Sequence, residues 1–197
     1  MPSSNKCPMA RRRNGAIFSA FAVLVVALLC AGVTAGVHHG LAGAFEQSDL
    51  ALDEAKGGAQ RKLLFPDATS FEPQSTPAVE GLNSVYKADT GAWVFDVTSA
   101  QGYHGDVELM IGINADGTVA GIQVVAEDET DGIGTNALTE EYFGGFAGSP
   151  AAGELTVDEA GAGQTHVDAV SGATFTSRAV VDCLNIAFAA YAQMGGN

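Results

Sequence analysis

The sequence predicts an α+β fold, in which helices pack on a mainly antiparallel sheet and one N-terminal transmembrane helix precedes the domain. Residues 16–37 are an uncharged stretch of 22 residues, long enough to cross a bilayer as a helix. Residues 92–126 contain three β-prone runs separated by turn signals, which favours an antiparallel meander with one covered face. The apolar residues of the last long segment recur at helical spacings of three and four.

The uncharged stretch has basic residues on one side only. Lys6, Arg11, Arg12 and Arg13 precede it, and no basic cluster follows it. By the positive-inside rule, residues 1–15 stay in the cytoplasm and the body faces outward from the cell (inner) membrane. A cleaved signal peptide is the alternative, with the small residues 33–35 as its cleavage site. The apolar run is longer than a typical signal core, which favours a single-pass anchor.

Residues 38–78 are expected to form juxtamembrane helices and a linker. Apolar positions are scattered among polar ones as far as Leu64, and Pro73 and Pro77 bracket a run rich in Ser and Thr. The compact domain is therefore expected to span residues 79–193.

Within this domain, composition and turn residues place each element. Residues 114–117, with the sequence Asn-Ala-Asp-Gly, are a strong hairpin signal between two strands. The expected strands are residues 92–98, 107–113 and 119–126, with weaker ones near 155–157 and 166–170. The expected helices are a short one at residues 139–146 and a long one from about Ser177 to Gln193.

The net charge of −14 is unevenly distributed along the chain. Residues 38–197 hold 5 basic and 23 acidic side chains, a net charge of −18. Such a body repels the phosphates of nucleic acid, so we predict no nucleic-acid partner. It should also avoid lying flat on anionic lipid. Acidity of this size also suits a salty habitat or serves solubility.

Neither the cysteines nor the histidines indicate a metal site. Cys7 and Cys30 lie in or beside the apolar segment, and Cys183 lies near the buried face of the last helix, which favours inert thiols. His104 and His166 lack Cys, Asp or Glu partners at metal-ligand spacing. We therefore predict no metal.

A short polar run, Asp168-Ala-Val-Ser-Gly-Ala-Thr174, precedes the last helix. Thr176 or Ser177 is expected to cap that helix. Thr174 would then lie just before the helix, where free N–H groups and the positive dipole end favour an anion. Arg178 would fall in the first turn, where a cation opposes the dipole unless an anion lies nearby.

This run resembles the attachment motif of the FMN-binding domain family with covalently bound flavin. That family includes the G subunit of the Rnf electron-transport complex and the C subunit of the sodium-pumping NADH:quinone reductase. Its pattern, Asp-x-x-Ser/Thr-Gly-Ala-Thr, is matched by Asp168, Ser171, Gly172, Ala173 and Thr174. The resemblance implies that Thr174 carries FMN through a phosphoester bond made by a flavin transferase. A Ser/Gly turn leading into a capped helix is the alternative.

Residues 127–134 resemble a second family sequence, His-x-Glu-Thr-Pro-Gly-Leu-Gly. The matching residues are Glu129, Thr130, Gly132 and Gly134. Glu127 replaces the usual His and Asp131 replaces the usual Pro. The family loop lies by the flavin, so its glycines would let the backbone approach the cofactor closely. A plain acidic surface loop is the alternative.

The resemblance covers roughly residues 79–191 and implies a membrane-anchored flavoprotein electron carrier. It would be the G subunit of an Rnf-type complex, which couples electron transfer between ferredoxin and NAD to ion translocation. Its partners would be the other membrane subunits. Trp93 and Tyr103 are expected to pack in the sheet, with an aromatic beside the flavin as the alternative.

Two other functions remain open on the sequence. The first is a free-standing, membrane-anchored FMN protein for extracellular electron transfer or a reductase. The second is a sensory or scaffold module that keeps the fold without covalent flavin. The sequence offers no acid, base or nucleophile set for substrate chemistry, so the chain's expected work is to hold and tune one cofactor.

Overall fold

The computed structural model describes residues 57–196, and its largest element is a five-stranded antiparallel sheet. The strands follow chain order across the sheet, so each pairs with its sequence neighbours. They are β1 (Phe71–Pro73), β2 (Leu82–Ala88), β3 (Trp93–Ser99), β4 (Val107–Ile113) and β5 (Val119–Ala126). The predicted transmembrane segment, residues 16–37, lies outside the described residues. Between residues 57 and 196, no helix is long and apolar enough to cross a membrane.

The three strands that the sequence predicts, β3 to β5, are confirmed. The β4–β5 hairpin closes as expected, since Asn114 N donates to Thr118 O at 2.8 Å and Gly117 N donates to Asn114 O at 2.9 Å. Strand β2 was not predicted, because polar residues interrupt its apolar pattern. Two of them, Asn83 and Ser84, donate hydrogen bonds to the carboxylate of Asp96 on β3.

The helices and the small second sheet surround the main sheet. The helices are α1 (Ala59–Leu64), a 3₁₀ helix (Gly134–Ala137), α2 (Glu140–Gly144) and α3 (Thr174–Gln193). Strands β6 (Glu154–Thr156) and β7 (Gln164–His166) form a parallel pair. The predicted short helix is thus α2, capped by the Thr139 hydroxyl, which accepts from Tyr142 N at 3.3 Å.

The main core lies between α3 and one face of the sheet. The predicted apolar stripe of α3 is buried, and it meets the inward side chains of β3 and β4. Phe95 and Tyr191 pack edge to face with ring centroids 6.3 Å apart. Burial raises the pKa of the Cys183 thiol, which fits its predicted inert character. The stripe consists of Val180, Leu184, Ala187, Phe188 and Tyr191.

The opposite face of the sheet is covered by α1 and the residues that follow it. Leu64 and Phe65 pack against Tyr86, Val94 and Met110. Strand β1 then joins the sheet edge beside β2. Residues 59–73, which the sequence analysis assigned to the juxtamembrane segment, are therefore part of the packed sheet domain.

Candidate functional site

The start of α3 differs from the sequence prediction. The helix begins at Thr174, three residues earlier than expected, and its N-cap Ala173 makes no side-chain cap hydrogen bond. The prediction that Thr176 or Ser177 caps the helix is wrong. Both are buried within the first turn. The first N–H groups of a helix have no intrahelical partner, so the uncapped start presents free donors close to Thr174.

The buried hydroxyls of this turn hold neighbouring segments in place. Ser177 Oγ donates to Ala173 O at 2.9 Å and accepts from Val170 N at 3.0 Å, which ties the motif turn to the helix. Thr176 Oγ1 donates to the Glu129 carboxylate at 2.8 Å. The hydroxyl of Thr174 lies on an exposed residue instead. Thr174 is therefore the first helical hydroxyl that an outside group can reach.

Glu129 joins three parts of the site. Its Oε2 accepts from Thr176 on α3, while its Oε1 accepts from Tyr103 N at 2.7 Å and His104 N at 3.4 Å. One carboxylate thus fixes the turn before β4 and the loop after β5 to the start of α3. Hydrogen bonds to a charged acceptor are stronger than neutral ones, so this link is firm.

Two glycines make room for the Glu129 carboxylate. A Cβ on Gly134 would lie 2.3 Å from Glu129 Oε2 and 2.9 Å from Thr176 Oγ1. A Cβ on Gly102 would lie 2.6 Å from Glu129 Oε1 and 2.2 Å from a backbone oxygen. All four separations are too short for real atoms. Gly134 in the loop and Gly102 in the turn before β4 therefore leave the space that the Glu129 contacts need, whereas a Cβ on Gly132 would meet nothing.

The two motif segments meet at a cleft of about 380 Å³. One wall comes from the loop after β5 and the other from the motif turn and the first turn of α3. This volume falls within the range of roughly 300–1,000 Å³ typical of small-molecule sites. The lining residues are Tyr103, Glu129, Thr130, Ile133, Gly134, Gly172, Ala173, Thr174, Phe175 and Thr176.

Exposed apolar side chains surround this cleft. Tyr103 is 64% exposed, Ile133 55% and Phe175 52%. The Tyr103 and Phe175 rings lie 5.8 Å apart. The expectation that Tyr103 packs in the sheet is wrong, because the turn before β4 carries it out to the cleft. Trp93 does pack in the sheet, stacked on Phe95.

The sequence analysis missed Phe175 and Ile133 as site residues. Phe175 lies off the apolar stripe of α3, and that mismatch was the signal that could have identified it. Ile133 stands in an otherwise polar loop with no strand or helix pattern to explain it. Exposed apolar residues gathered at one cleft are typical of a binding site.

Other predicted site residues lie outside the cleft lining. Asp168 is fully exposed, and its carboxylate is 3.5 Å from His166 Nε2. Ser171 is exposed on the motif turn, and Gly172 beside it has a φ of 81°, a backbone conformation that favours glycine. Arg178 donates to Asp158 Oδ1 at 2.5 Å. Asp158 therefore supplies an anion beside Arg178, which the sequence analysis expected a cation in the first turn of the helix to need.

A second and larger cavity, of about 720 Å³, lies between α2 and β7. It is lined by Tyr142, Phe146, Leu155, Val167 and Asp168, among others. It contains neither the Glu129 loop nor the start of α3. We therefore place the candidate site at the smaller cleft, where both motif segments and free N–H donors meet.

The two departures from the family loop have different surroundings. Glu127 Oε2 accepts from Glu129 N at 2.6 Å and so stabilises the loop. Asp131 is exposed, next to Gly132 with its φ of 73°. Within residues 57–196, no group of His, Cys, Asp and Glu side chains could hold a metal ion.

Comparisons with known proteins identify a family and several relatives. The model of the FMN-binding domain family matches residues 102–189. The chain is 33% identical over 135 residues to the G subunit of the ion-translocating oxidoreductase complex of Methanosarcina acetivorans, covering 64% of this chain and 70% of that one. It is 30% identical over 187 residues to the protein of the same name from Pseudoalteromonas atlantica, covering 87% and 84%.

Two further proteins are similar to this chain. The G subunit of the Na(+)-translocating ferredoxin:NAD(+) oxidoreductase complex of Acetobacterium woodii is 26% identical over 190 residues, covering 87% of this chain and 89% of its own. The crystal structure of the C subunit of the Na(+)-translocating NADH-quinone reductase from Parabacteroides distasonis gives a TM-score of 0.46 at 22% identity, covering 57% and 61%.

The fold and the cleft define an α+β domain with a surface cleft of small-molecule size. With the family match, the chain belongs to the FMN-binding domain family that includes the G subunits of ion-translocating oxidoreductase complexes.

Proposed function

We propose that this chain is a membrane-anchored flavoprotein electron carrier, the G subunit of an Rnf-type complex, with FMN attached covalently to Thr174. The observation that carries the proposal is the cleft where the Glu129 loop meets the uncapped start of α3. The relative in Acetobacterium woodii is named as part of a ferredoxin:NAD(+) oxidoreductase. On that basis, the proposed complex moves electrons between ferredoxin and NAD and couples this transfer to ion translocation.

The residues at the cleft fit FMN in two ways. The free N–H groups at the start of α3 suit its phosphate, because a helix N-terminus favours an anion. The exposed side chains of Tyr103, Ile133 and Phe175 suit its ring system. Bound flavin supplies the one- and two-electron chemistry, and the protein supplies binding, orientation and electrostatics.

Different residues of the chain would attach the cofactor, leave room for it and link the walls of the cleft. Thr174 provides the hydroxyl oxygen of the phosphoester, and its exposure leaves it accessible to a flavin transferase. Gly172 and Ala173 form the turn in front of it, and the small side chains leave room for the phosphate. Glu129 holds the two walls of the cleft at a constant separation. A covalent tether keeps FMN in place outside the cytoplasm, where lost cofactor is not readily replaced.

The attachment is tested with the full chain co-expressed with a flavin transferase. Thr174→Ala removes the ester oxygen and should abolish flavin fluorescence of the protein band on a denaturing gel. Thr165→Ala is the matched control, since it removes an exposed threonine hydroxyl outside the motif and the cleft and should leave the band fluorescent. Fluorescence retained by Thr174→Ala would place the flavin on another residue and contradict the proposal.

The orientation in the membrane is a second part of the proposal. Residues 16–37 form a single-pass anchor in the cell membrane, with the N-terminus in the cytoplasm and the flavin domain on the outer face. A C-terminal reporter enzyme that is active only in the cytoplasm should be inactive on this chain. Strong reporter activity would place the flavin domain on the cytoplasmic face instead.

The partners follow from the same proposal. They are the other membrane subunits of the complex and the flavin transferase. Genes for those subunits beside the gene for this chain would favour the complex over a free-standing FMN protein.

A further inference from the structure

Arg178 lies on the same face of α3 as the proposed attachment hydroxyl. Thr174 and Arg178 are four residues apart, and side chains at that spacing are neighbours on a helix. Helical side chains also lean toward the N-terminus, so Arg178 extends over the first turn. The Arg178 Cζ lies 5.7 Å from the centre of the Phe175 ring, at the edge of the cleft. Its guanidinium group is therefore placed to meet an anion on Thr174.

No other lysine or arginine of the described residues lies at this end of the domain. Arg61 is buried on the opposite face of the sheet, over the Tyr86 ring. Lys62 Nζ donates to Ala68 O at 2.7 Å, and Lys87 lies over the Trp93 ring. Two exposed acids, Asp128 and Asp131, flank the cleft residues of the loop after β5. Arg178 is therefore the arginine or lysine side chain placed to support the N–H groups of α3 in binding a phosphate here.

Arg178 is already paired, but the pair is weak. Its guanidinium donates to Asp158, and the two side chains are 34% and 63% exposed. Ion pairs at such exposure are screened by water and contribute little. The Asp158 contact leaves Arg178 Nε without a hydrogen-bond partner among the described residues. A phosphate can bind a guanidinium through two parallel bonds, which is a stronger arrangement.

We propose that Asp158 competes with the flavin phosphate for Arg178 and so sets how tightly the site holds the phosphate. The inference rests on the proposed FMN site. Before the flavin binds, Asp158 holds the guanidinium over the first turn of α3. With flavin bound, Arg178 would donate to the phosphate the N–H group that it now donates to Asp158 Oδ1. Asp158 is thus a positioning residue that touches the cofactor only through Arg178.

The test measures flavin binding by the full chain, purified in detergent from a host without a flavin transferase. FMN and riboflavin are titrated separately, and quenching of their fluorescence gives each Kd. The two ligands differ only in the phosphate. Asp158→Asn should tighten FMN binding about two- to fivefold, the range expected for an exposed ion pair, and leave riboflavin unchanged. Arg178→Gln should weaken FMN binding roughly tenfold and leave riboflavin unchanged.

Two controls separate the competition from a general charge effect. Glu159→Gln removes the same charge from the neighbouring exposed residue and should change neither Kd. In the Arg178→Gln background, Asp158→Asn should have no effect, because the two changes act through one contact.

Each outcome points to one conclusion. The competition is overturned if Asp158→Asn leaves the Kd for FMN unchanged. It is also overturned if Asp158→Asn tightens FMN binding in the Arg178→Gln background, or tightens riboflavin binding as well. If the unmodified chain receives flavin from the transferase but binds neither free flavin, the competition fails alone. If it binds neither flavin and also receives none from the transferase, the proposed function fails as well.

Discussion

At the scale of single residues, Glu129 organises the site. Its carboxylate accepts two backbone N–H groups from the turn before β4 and one hydroxyl from α3. Thr176 is buried, so removing the carboxylate leaves its hydroxyl without this acceptor, which costs about 1–3 kcal/mol. The contact network therefore depends on the acid at position 129 and on the glycine at position 134.

Gly134→Ala should destabilise the domain and open the cleft. The new Cβ would overlap the Glu129 carboxylate and the Thr176 hydroxyl, so one of them has to move. Such overpacking costs about 1–3 kcal/mol. The measurement is the free energy of unfolding of the full chain in urea, together with covalent flavin loading. Gly144→Ala is the matched control, because it meets open space at the end of α2 and should not destabilise the domain.

Equal stability of the two alanine variants would contradict this account of the loop. The Glu129 contacts would then be flexible enough to accept a side chain at position 134, and the cleft walls would not be held by them.

Family resemblance predicted Glu129, Thr130, Gly134 and Thr174 at the site, and the structure brings them together at one cleft. It did not indicate Tyr103 or Phe175. The position of Phe175 off the apolar stripe of α3 was a local signal for it, whereas no local pattern shows that Tyr103 is exposed. Tyr103 was assigned to sheet packing on its residue type alone. Its true position depends on the path of the turn before β4, which is set by tertiary contacts to Glu129.

At the scale of elements, the start of α3 shows the limit of capping rules. Thr176 and Ser177 have the residue types of N-caps, but the helix begins at Thr174. The Thr176 hydroxyl bonds instead to Glu129, and the Ser177 hydroxyl bonds to Ala173 and Val170 in the preceding turn. Strand β2 was missed for a related reason. Its polar residues bond to Asp96 on the neighbouring strand, a contact that a single-segment pattern cannot show.

The contact between α1 and the sheet depends on two glycines that face each other across β4 and β5. Gly112 pairs with Gly121 in the strand register. A Cβ on Gly112 would lie 3.0 Å from the Phe65 ring, whereas one on Gly121 would lie 3.4 Å from Leu64. The first contact is tight and the second is ordinary.

These distances predict different results for two matched substitutions. Gly112→Ala should lower the free energy of unfolding by about 1 kcal/mol through overpacking against Phe65. Gly121→Ala should be neutral or stabilising, because glycine inside a strand is itself unfavourable. Urea unfolding of both full-length variants measures the difference. An equal loss in both would show that the helix and sheet do not meet as described.

At the scale of the whole molecule, two neighbouring carboxyl groups set a pH dependence of stability. Burial raises the pKa of Asp96, whose carboxylate accepts hydrogen bonds from Asn83 and Ser84. Burial and the charge of Asp96 raise the pKa of Glu108 on the next strand. Unfolded, the two groups titrate at about 3.9 and 4.3. The folded protein therefore holds protons that the unfolded chain has released.

It follows that the free energy of unfolding should fall as pH rises from about 4 through the raised pKa values of the folded state. Asp96→Asn should flatten that decline, because the asparagine cannot ionise. Asp116→Asn is the control. The Thr118 hydroxyl lowers the pKa of Asp116, so the contribution of Asp116 to the free energy of unfolding is lost as pH falls, and its removal should not flatten the decline. Urea unfolding at a series of pH values measures both slopes. An unchanged slope in Asp96→Asn would contradict the assignment.

The fold class could be predicted from the sequence, but the start of the domain could not. The α+β class and the antiparallel sheet follow from alternating strands and the hairpin turn, and both are confirmed. The N-terminal boundary of the domain could not be predicted from the sequence, because α1 and β1 are too short to give a periodic signal. The membrane anchor stays a prediction, since residues 16–37 lie outside the described residues.

Peptide mass spectrometry of the full chain, co-expressed with a flavin transferase, tests the central claim most directly. The protein is digested, the flavin-bearing peptide is isolated by its fluorescence, and fragmentation locates the added mass. The account predicts FMN, less one water, on Thr174, with Ser171, Thr176 and Ser177 unmodified. Flavin on one of those three residues would contradict it. So would a fully unmodified peptide from a chain that was co-expressed with an active flavin transferase.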